Sequence, residues 1–360
     1  MGKGLFGFKR DVYNFFVGCN GGDLARGVYV FSIDKENGEI FKKKYYKGGA
    51  NPVYMTRVER FVYVCYKNGY GAEADGGIWQ YAAMDVQFGL TARTSDKGNV
   101  FEHCYLNKAE DKLYAVNYYE GQVVMIPIVK KKVSVIHDRV QLEGHSLDPK
   151  KQDRPHPVFV TESPDQKYII VLDLGTDEII YFETNEDNKL VKDEELSVNV
   201  KPGNGPRKMI FNEAGTIAYV MNEISSTVDV YANNDNHLEL LQTVDTFPKD
   251  EFQGVSSCGD MILSEAQDYL FVSNKGHDSV GVFRILKDGT LKYVEFIDTD
   301  ENPKVLMIYD DKWFVVGAQK GGSIESWEIK KNDRHGVLFE TGYAHTVPEP
   351  VTFVKARVNM

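Results

Sequence analysis

Apolar residues along this chain fall in short runs of about five, rich in Val, Ile, Tyr and Phe, and the runs come in pairs separated by a polar turn. Residues 15–19 lead to 27–31, 62–66 to 77–81, 113–117 to 122–126 and 169–173 to 178–182; residues 218–222 with 227–231, 270–274 with 279–283 and 314–318 with 323–327 complete seven hairpins. The last residue of each first run falls at 19, 66, 117, 173, 222, 274 and 318, so the steps are 47, 51, 56, 49, 52 and 44 residues. That is the length of one four-stranded propeller blade.

A third run precedes most hairpins and opens with proline, at 51–55, 156–160, 205–210, 302–306 and 349–353; two copies, at 99–103 and 259–263, lack the proline. Proline is tolerated at the first residue of a strand, where the rest of the ladder stays intact. The copy at 349–353 follows the seventh hairpin, whereas the first hairpin has none before it. The two ends are therefore complementary. The pattern predicts an all-β, seven-bladed β-propeller of four-stranded antiparallel blades, one domain over residues 1–360, closed by joining the amino- and carboxy-terminal strands. An α/β barrel would need an amphipathic helix in each repeat, and no helical periodicity longer than about two turns is found.

Composition supports a large core, with 42% hydrophobic and 12% aromatic residues. The net charge of −11 argues against nucleic acid and anionic membrane surfaces as partners, which need a basic face. No window approaches the roughly 18 apolar residues of a membrane span. The start at Met1-Gly2 resembles a myristoylation site but has Phe6 where Ser or Thr is required, and charged Lys9, Arg10 and Asp11 interrupt any signal-like stretch. A cytoplasmic location is expected. Cys19, Cys65, Cys104 and Cys258 are far apart, contain no CxxC and are read as buried free thiols.

Charged residues in the innermost strands of a propeller face its central channel. Arg207 and Lys304 directly follow the prolines of their strands, Glu102 and Asp260 take comparable places in the copies without proline, and Glu223 follows a hairpin strand. Together they predict a mixed-charge channel mouth suited to a small anionic ligand, with arginine offering a bidentate fork. His156, between Pro155 and Pro157, stands at the entrance of an inner strand as a potential proton carrier. His137, His145 and His156 fit no familiar metal spacing, so neither a metal nor another cofactor is expected. Gly203-Asn204-Gly205 reads as a turn. Asn117, Asp173, Asn222 and Asn274 recur at strand ends, where Asn and Asp suit turns.

The segments Gly203-Asn204-Gly205-Pro206-Arg207-Lys208-Met209 and Met221-Asn222-Glu223, with Ser163-Pro164-Asp165 and Ser273-Asn274-Lys275-Gly276-His277, resemble the lactonase family of seven-bladed propellers over nearly the whole chain. That family includes propeller-type 6-phosphogluconolactonase and 3-carboxy-cis,cis-muconate lactonizing enzyme. The resemblance implies a channel-mouth site with Arg207 and Glu223 at the family's arginine and glutamate. It also implies three departures: Val158 where the family has histidine, and Lys275 and Lys304 where it has arginine. His156 lies two residues before Val158, and since residues two apart share a strand face it is expected to replace the missing histidine in part. By resemblance, Glu223 activates water or carries the proton, with Arg207 and His156 completing the catalytic set. Lys275, Lys304, Asp260 and Glu102 bind the substrate. The expected activity is hydrolysis of a sugar lactone such as 6-phosphogluconolactone. The alternatives are a non-catalytic propeller that binds a ligand or a protein partner, and a carboxymuconate cyclase-type enzyme.

Overall fold

The computed structural model describes residues 10–21, 26–68, 75–94, 98–331 and 333–357. The Met1–Phe6 segment, read above for processing signals, lies outside them. Seven antiparallel sheets follow one another around a ring. The first is built from Val12–Cys19, Arg26–Asp34 and Ile40–Ala50, with Pro350–Lys355 as its innermost strand. Blades 2 to 7 then begin at inner strands Pro52–Val58, His103–Leu106, Pro157–Glu162, Pro206–Phe211, Ser257–Leu263 and Pro303–Tyr309. Blade 3 alone has a divided outer strand: Lys132–Val133 and Asp138–Gln141 both pair with Gln122–Val129. Helix among the described residues is confined to a 3₁₀ turn at Lys249–Glu251. None is long and apolar enough to cross a membrane.

The middle strands read as unbroken apolar runs because both their faces are buried against neighbouring blades. Phe15, Val17 and Cys19 pack on Met307, Val315 and Ile324 of blade 7, whereas Phe16 faces Met55 and Val64 of blade 2. This alternation repeats at every seam, giving seven apolar clusters, one between each pair of adjacent blades. All four cysteines are buried free thiols, Cys19 and Cys65 on middle strands and Cys104 and Cys258 on inner ones.

The ring closes as the complementary ends require. Phe16 pairs with Val354 and Val17 with Phe353, and the Arg57 guanidinium of blade 2 donates to the carbonyl of Ala356.

Candidate active site

A backbone feature places the site. Pro206 pairs with Asn222 and Lys208 with Met221, so Arg207 is left over as a β-bulge. The register shifts in the same way after Pro52, Pro157 and Pro303, leaving Val53, Val158 and Lys304 unpaired. In blade 1, Pro350 pairs with Cys19 and Thr352 with Gly18, leaving Val351. Proline opens the strand without donating to the ladder, and the bulge re-aims the next side chain. The proline-less blades follow suit. His103 pairs with Val116, whose carbonyl also takes the N–H of Glu102, so Glu102 has the bulge place of blade 3. In blade 6, Cys258 pairs with Asn274 and Met261 with Val272, which gives the bulge place to Gly259 and puts Asp260 level with Lys208. Asp260 is thus one position beyond the place expected for it. Gly259 is required there, since a Cβ would lie 2.4 Å from the Pro303 carbonyl oxygen.

These residues line a cavity of about 360 Å³ at one end of the channel. The outermost tier is set by a residue at the end of the second strand or just beyond it. Lys67, Glu223 and Gln319 donate their N–H groups to the carbonyls of Asn51, Gly205 and Asn302, each the residue before a proline. The bulge tier lies inside it. Deeper still come Tyr54, His103, Phe159, Lys208, Asp260 and Thr352. Blades 1, 2 and 4 give valines to the bulge tier, while blades 3, 5 and 7 give Glu102, Arg207 and Lys304.

The charges are mutually engaged, with one exception. Arg207 is ion-paired with Glu223, whose second oxygen lies 2.9 Å from Lys275 Nζ. Lys67 Nζ is 2.9 Å from both Glu102 and the Tyr119 hydroxyl, and Lys208 Nζ is 2.7 Å from Asp260. Lys304 has no hydrogen-bond or ion-pair partner among the described residues, and the site holds two more lysine and arginine side chains than carboxylates. Burial opposes the Glu223 charge, but Arg207, Lys275 and Lys304 outweigh it and hold the carboxyl well below its usual range. An elevated Glu223, as water activation would ask, is therefore not present in the free protein. Burial, then the charges of Arg207 and Lys275, push the Lys304 ammonium well below the usual lysine value.

The predicted residues are brought together with one partial exception. Arg207, Lys304, Glu102 and Asp260 line the cavity. Glu223 and Lys275 stand behind Arg207, outside the lining. His156 is buried but does not line the cavity: its ring stacks on Tyr118 at 4.2 Å, with Nδ1 2.9 Å from the Tyr118 carbonyl and Nε2 3.2 Å from Asp153. The two-residue alternation that related it to Val158 is broken by the bulge between Pro157 and Phe159, so the two do not share a face. Val158 itself lines the cavity.

Sequence reasoning missed Lys67, Lys208 and His103. Each occupies a repeat position already marked in another blade, so aligning the blades place by place would have found them. His103 lies between the rings of Tyr54 and Phe159, at 4.0 and 4.4 Å, and its Nδ1 accepts the Val160 N–H at 3.3 Å. The imidazole proton therefore sits on Nε2. Burial, then Lys208 and Arg207, hold His103 well below the usual histidine value, so it is neutral.

Comparisons with known proteins agree with this geometry. A family model described as "Lactonase, 7-bladed beta-propeller" matches residues 14–355. Among solved structures, a candidate 6-phosphogluconolactonase of Bacteroides fragilis superposes with a TM-score of 0.85 at 28% identity, covering 97% of this chain and 98% of the other. The periplasmic gluconolactonase of Pseudomonas aeruginosa gives 0.87 at 23% identity, covering 97% and 100%, a likeness of fold. A Staphylococcus saprophyticus protein of uncharacterized function is 27% identical over 91% of this chain and 94% of its own length. With its seven blades and matching family model, the chain belongs to the lactonase family of seven-bladed β-propellers.

Proposed function

We propose that the cavity binds a lactone bearing an acidic group, such as 6-phosphogluconolactone, and hydrolyses it. The observation that carries this reading is the Arg207 guanidinium in the cavity wall, fixed from behind by Glu223 and accompanied by the unpartnered Lys304. Hydrolysis adds water to the lactone carbonyl, breaks the ring C–O bond and returns a proton to the ring oxygen, leaving a hydroxy acid. Arg207 is suited to the oxyanion of the tetrahedral intermediate, and Lys304 and Lys208 to the acid group. Glu223 is ionised and takes the water's proton only as an incoming anion draws Arg207 away from it. His156, packed on Tyr118 away from the lining, takes no direct part. A cavity of about 360 Å³ is of a size for such a ligand. The four unpaired thiols favour a reducing compartment, in keeping with a cytoplasmic location.

The test is turnover of 6-phosphogluconolactone above its spontaneous hydrolysis, abolished in an Arg207→Ala, Glu223→Ala double variant. Rates at the spontaneous level with the purified protein would refute the reading. A second reading, a binding propeller without catalysis, is favoured by Val158 in the lining and by the doubly engaged Glu223. Under it, gluconate 6-phosphate raises the melting temperature with no turnover.

A further inference from the structure

We propose that Lys304 takes a proton from solvent when a phosphate- or carboxylate-bearing ligand enters the cavity, so that anion affinity falls as pH rises. This rests on the cavity being the ligand site of the reading above, and not on hydrolysis.

The charges around Lys304 come from several blades. Blade 6 brings Lys275, the buried thiol of Cys258, and Asp260, whose oxygens already bind Lys208 and the Leu306 N–H. Blade 5 brings Arg207 and Glu223, which are paired with each other, and Glu223 is shared with Lys275. Blade 3 brings Glu102, engaged by Lys67, and the neutral His103. The inner strand of blade 1 contributes Val351 and Thr352 to the cavity, and blade 7 itself adds Gln319; none of the three is charged. Every carboxylate is thus already held by a different cation, and Lys304 is left without a counter-ion.

Charging Lys304 in the free protein adds a cation beside Arg207 and Lys275 in a partly dry setting with no carboxylate left to pair with it, which disfavours the ammonium form. An anion supplies the absent counter-charge and reverses the preference. The step is amine plus a solvent proton giving ammonium; no other bond changes. Its sign follows from linkage: a ligand whose binding takes up a proton binds more weakly as that proton becomes scarcer, over the interval between the lowered value of the free protein and the higher value of the complex.

The experiment is calorimetric titration of gluconate 6-phosphate into the full chain between about pH 7.5 and 9, where the ligand's phosphate (second pKa about 6) is fully ionised. Buffers of different ionisation heat report the protons exchanged. Proton uptake, up to about one per ligand and growing with pH across this window, is expected, with affinity falling by up to about tenfold per pH unit. Lys304→Arg should bind with no uptake and a flat pH profile, because guanidinium stays charged throughout. Lys304→Met should bind at least about tenfold more weakly, also without uptake. Parallel titrations with inorganic phosphate and with gluconate identify which acid group carries the effect. Binding with buffer-independent heat, uptake that persists in Lys304→Arg, or no binding by any of the three probes would overturn the proposal. Binding with proton uptake but no lactone turnover leaves it standing and removes hydrolysis alone.

Discussion

Asp260 accepts the backbone N–H of Leu306 at 2.9 Å, across the seam between blades 6 and 7. Thr352 does the same for Met55 at 3.0 Å, between blades 1 and 2, and His103 for Val160 at 3.3 Å, between blades 3 and 4. Leu306, Met55 and Val160 hold equivalent places on their inner strands, where the ring has an inward edge without a further strand to pair with. A buried donor there needs a side-chain acceptor, and a residue of the deepest tier supplies it.

Replacing His103 with Leu strands the Val160 N–H and should cost about 1–3 kcal/mol, read by urea unfolding at pH 8. A pH effect accompanies it. The folded protein holds His103 well below its ordinary value, while the unfolded chain takes the proton near 6.5. The wild type should therefore lose stability as pH falls below about 6.5, and the variant should lack this contribution.

Asp173 is fully buried, and one carboxylate oxygen accepts the N–H groups of His156, Gly175 and Thr176 while the other has no partner. Burial outweighs those hydrogen bonds and raises its pKa to about 6. A raised carboxyl value means stability that is complete below about pH 4 and is lost as pH climbs through 6, by up to about 3 kcal/mol. Asp173→Asn should flatten that decline and melt higher than the wild type at pH 8. Asn117 and Asn222 end the corresponding strands of blades 3 and 5, and Asn274 is the last residue but one of that in blade 6.

Glu223→Gln leaves Arg207 and Lys275 facing each other without their shared carboxylate. A loss of about 3 kcal/mol is expected. Added gluconate 6-phosphate should raise the melting temperature of this variant more than that of the wild type, because the anion replaces the missing charge. Equal shifts in the two proteins would argue against an anion site at Arg207.

Deleting residues 348–360 removes the inner strand of blade 1 together with the Ala356 carbonyl that Arg57 grips. The exposed edge of Val12–Cys19 should then drive association, seen as a shift to larger species on size exclusion. Arg57→Met, which keeps the strand, should lower the melting temperature and leave the protein monodisperse.

The ring, its seven blades and its closure were legible in the sequence because each middle strand is buried on both faces, so the chain spells the repeat in apolar runs. Arg207 and Lys304 were legible for a related reason: a proline announces the residue after it. The fate of His156 was not. Strand alternation relates it to Val158, and the bulge that breaks the alternation appears only when the pairing is known. Asp260 was misplaced by one position because its blade lacks the proline that marks the register. His103 and Lys67 lie in unbroken strand text, where nothing local separates a lining residue from a core one. The clamping of Glu223 between two blades is a property of the closed ring and has no local signature.

The bulge after the inner-strand proline has a consequence for how such a protein changes. The bulged residue takes no place in the strand register, so Val53, Val158, Arg207, Lys304 and Val351 can be exchanged with little effect on the ladder that carries them. Each of these five blades contributes one such replaceable letter, and ligand preference can be respelled a letter at a time. The scaffold and the specificity are in this sense inherited separately, although a single chain encodes both.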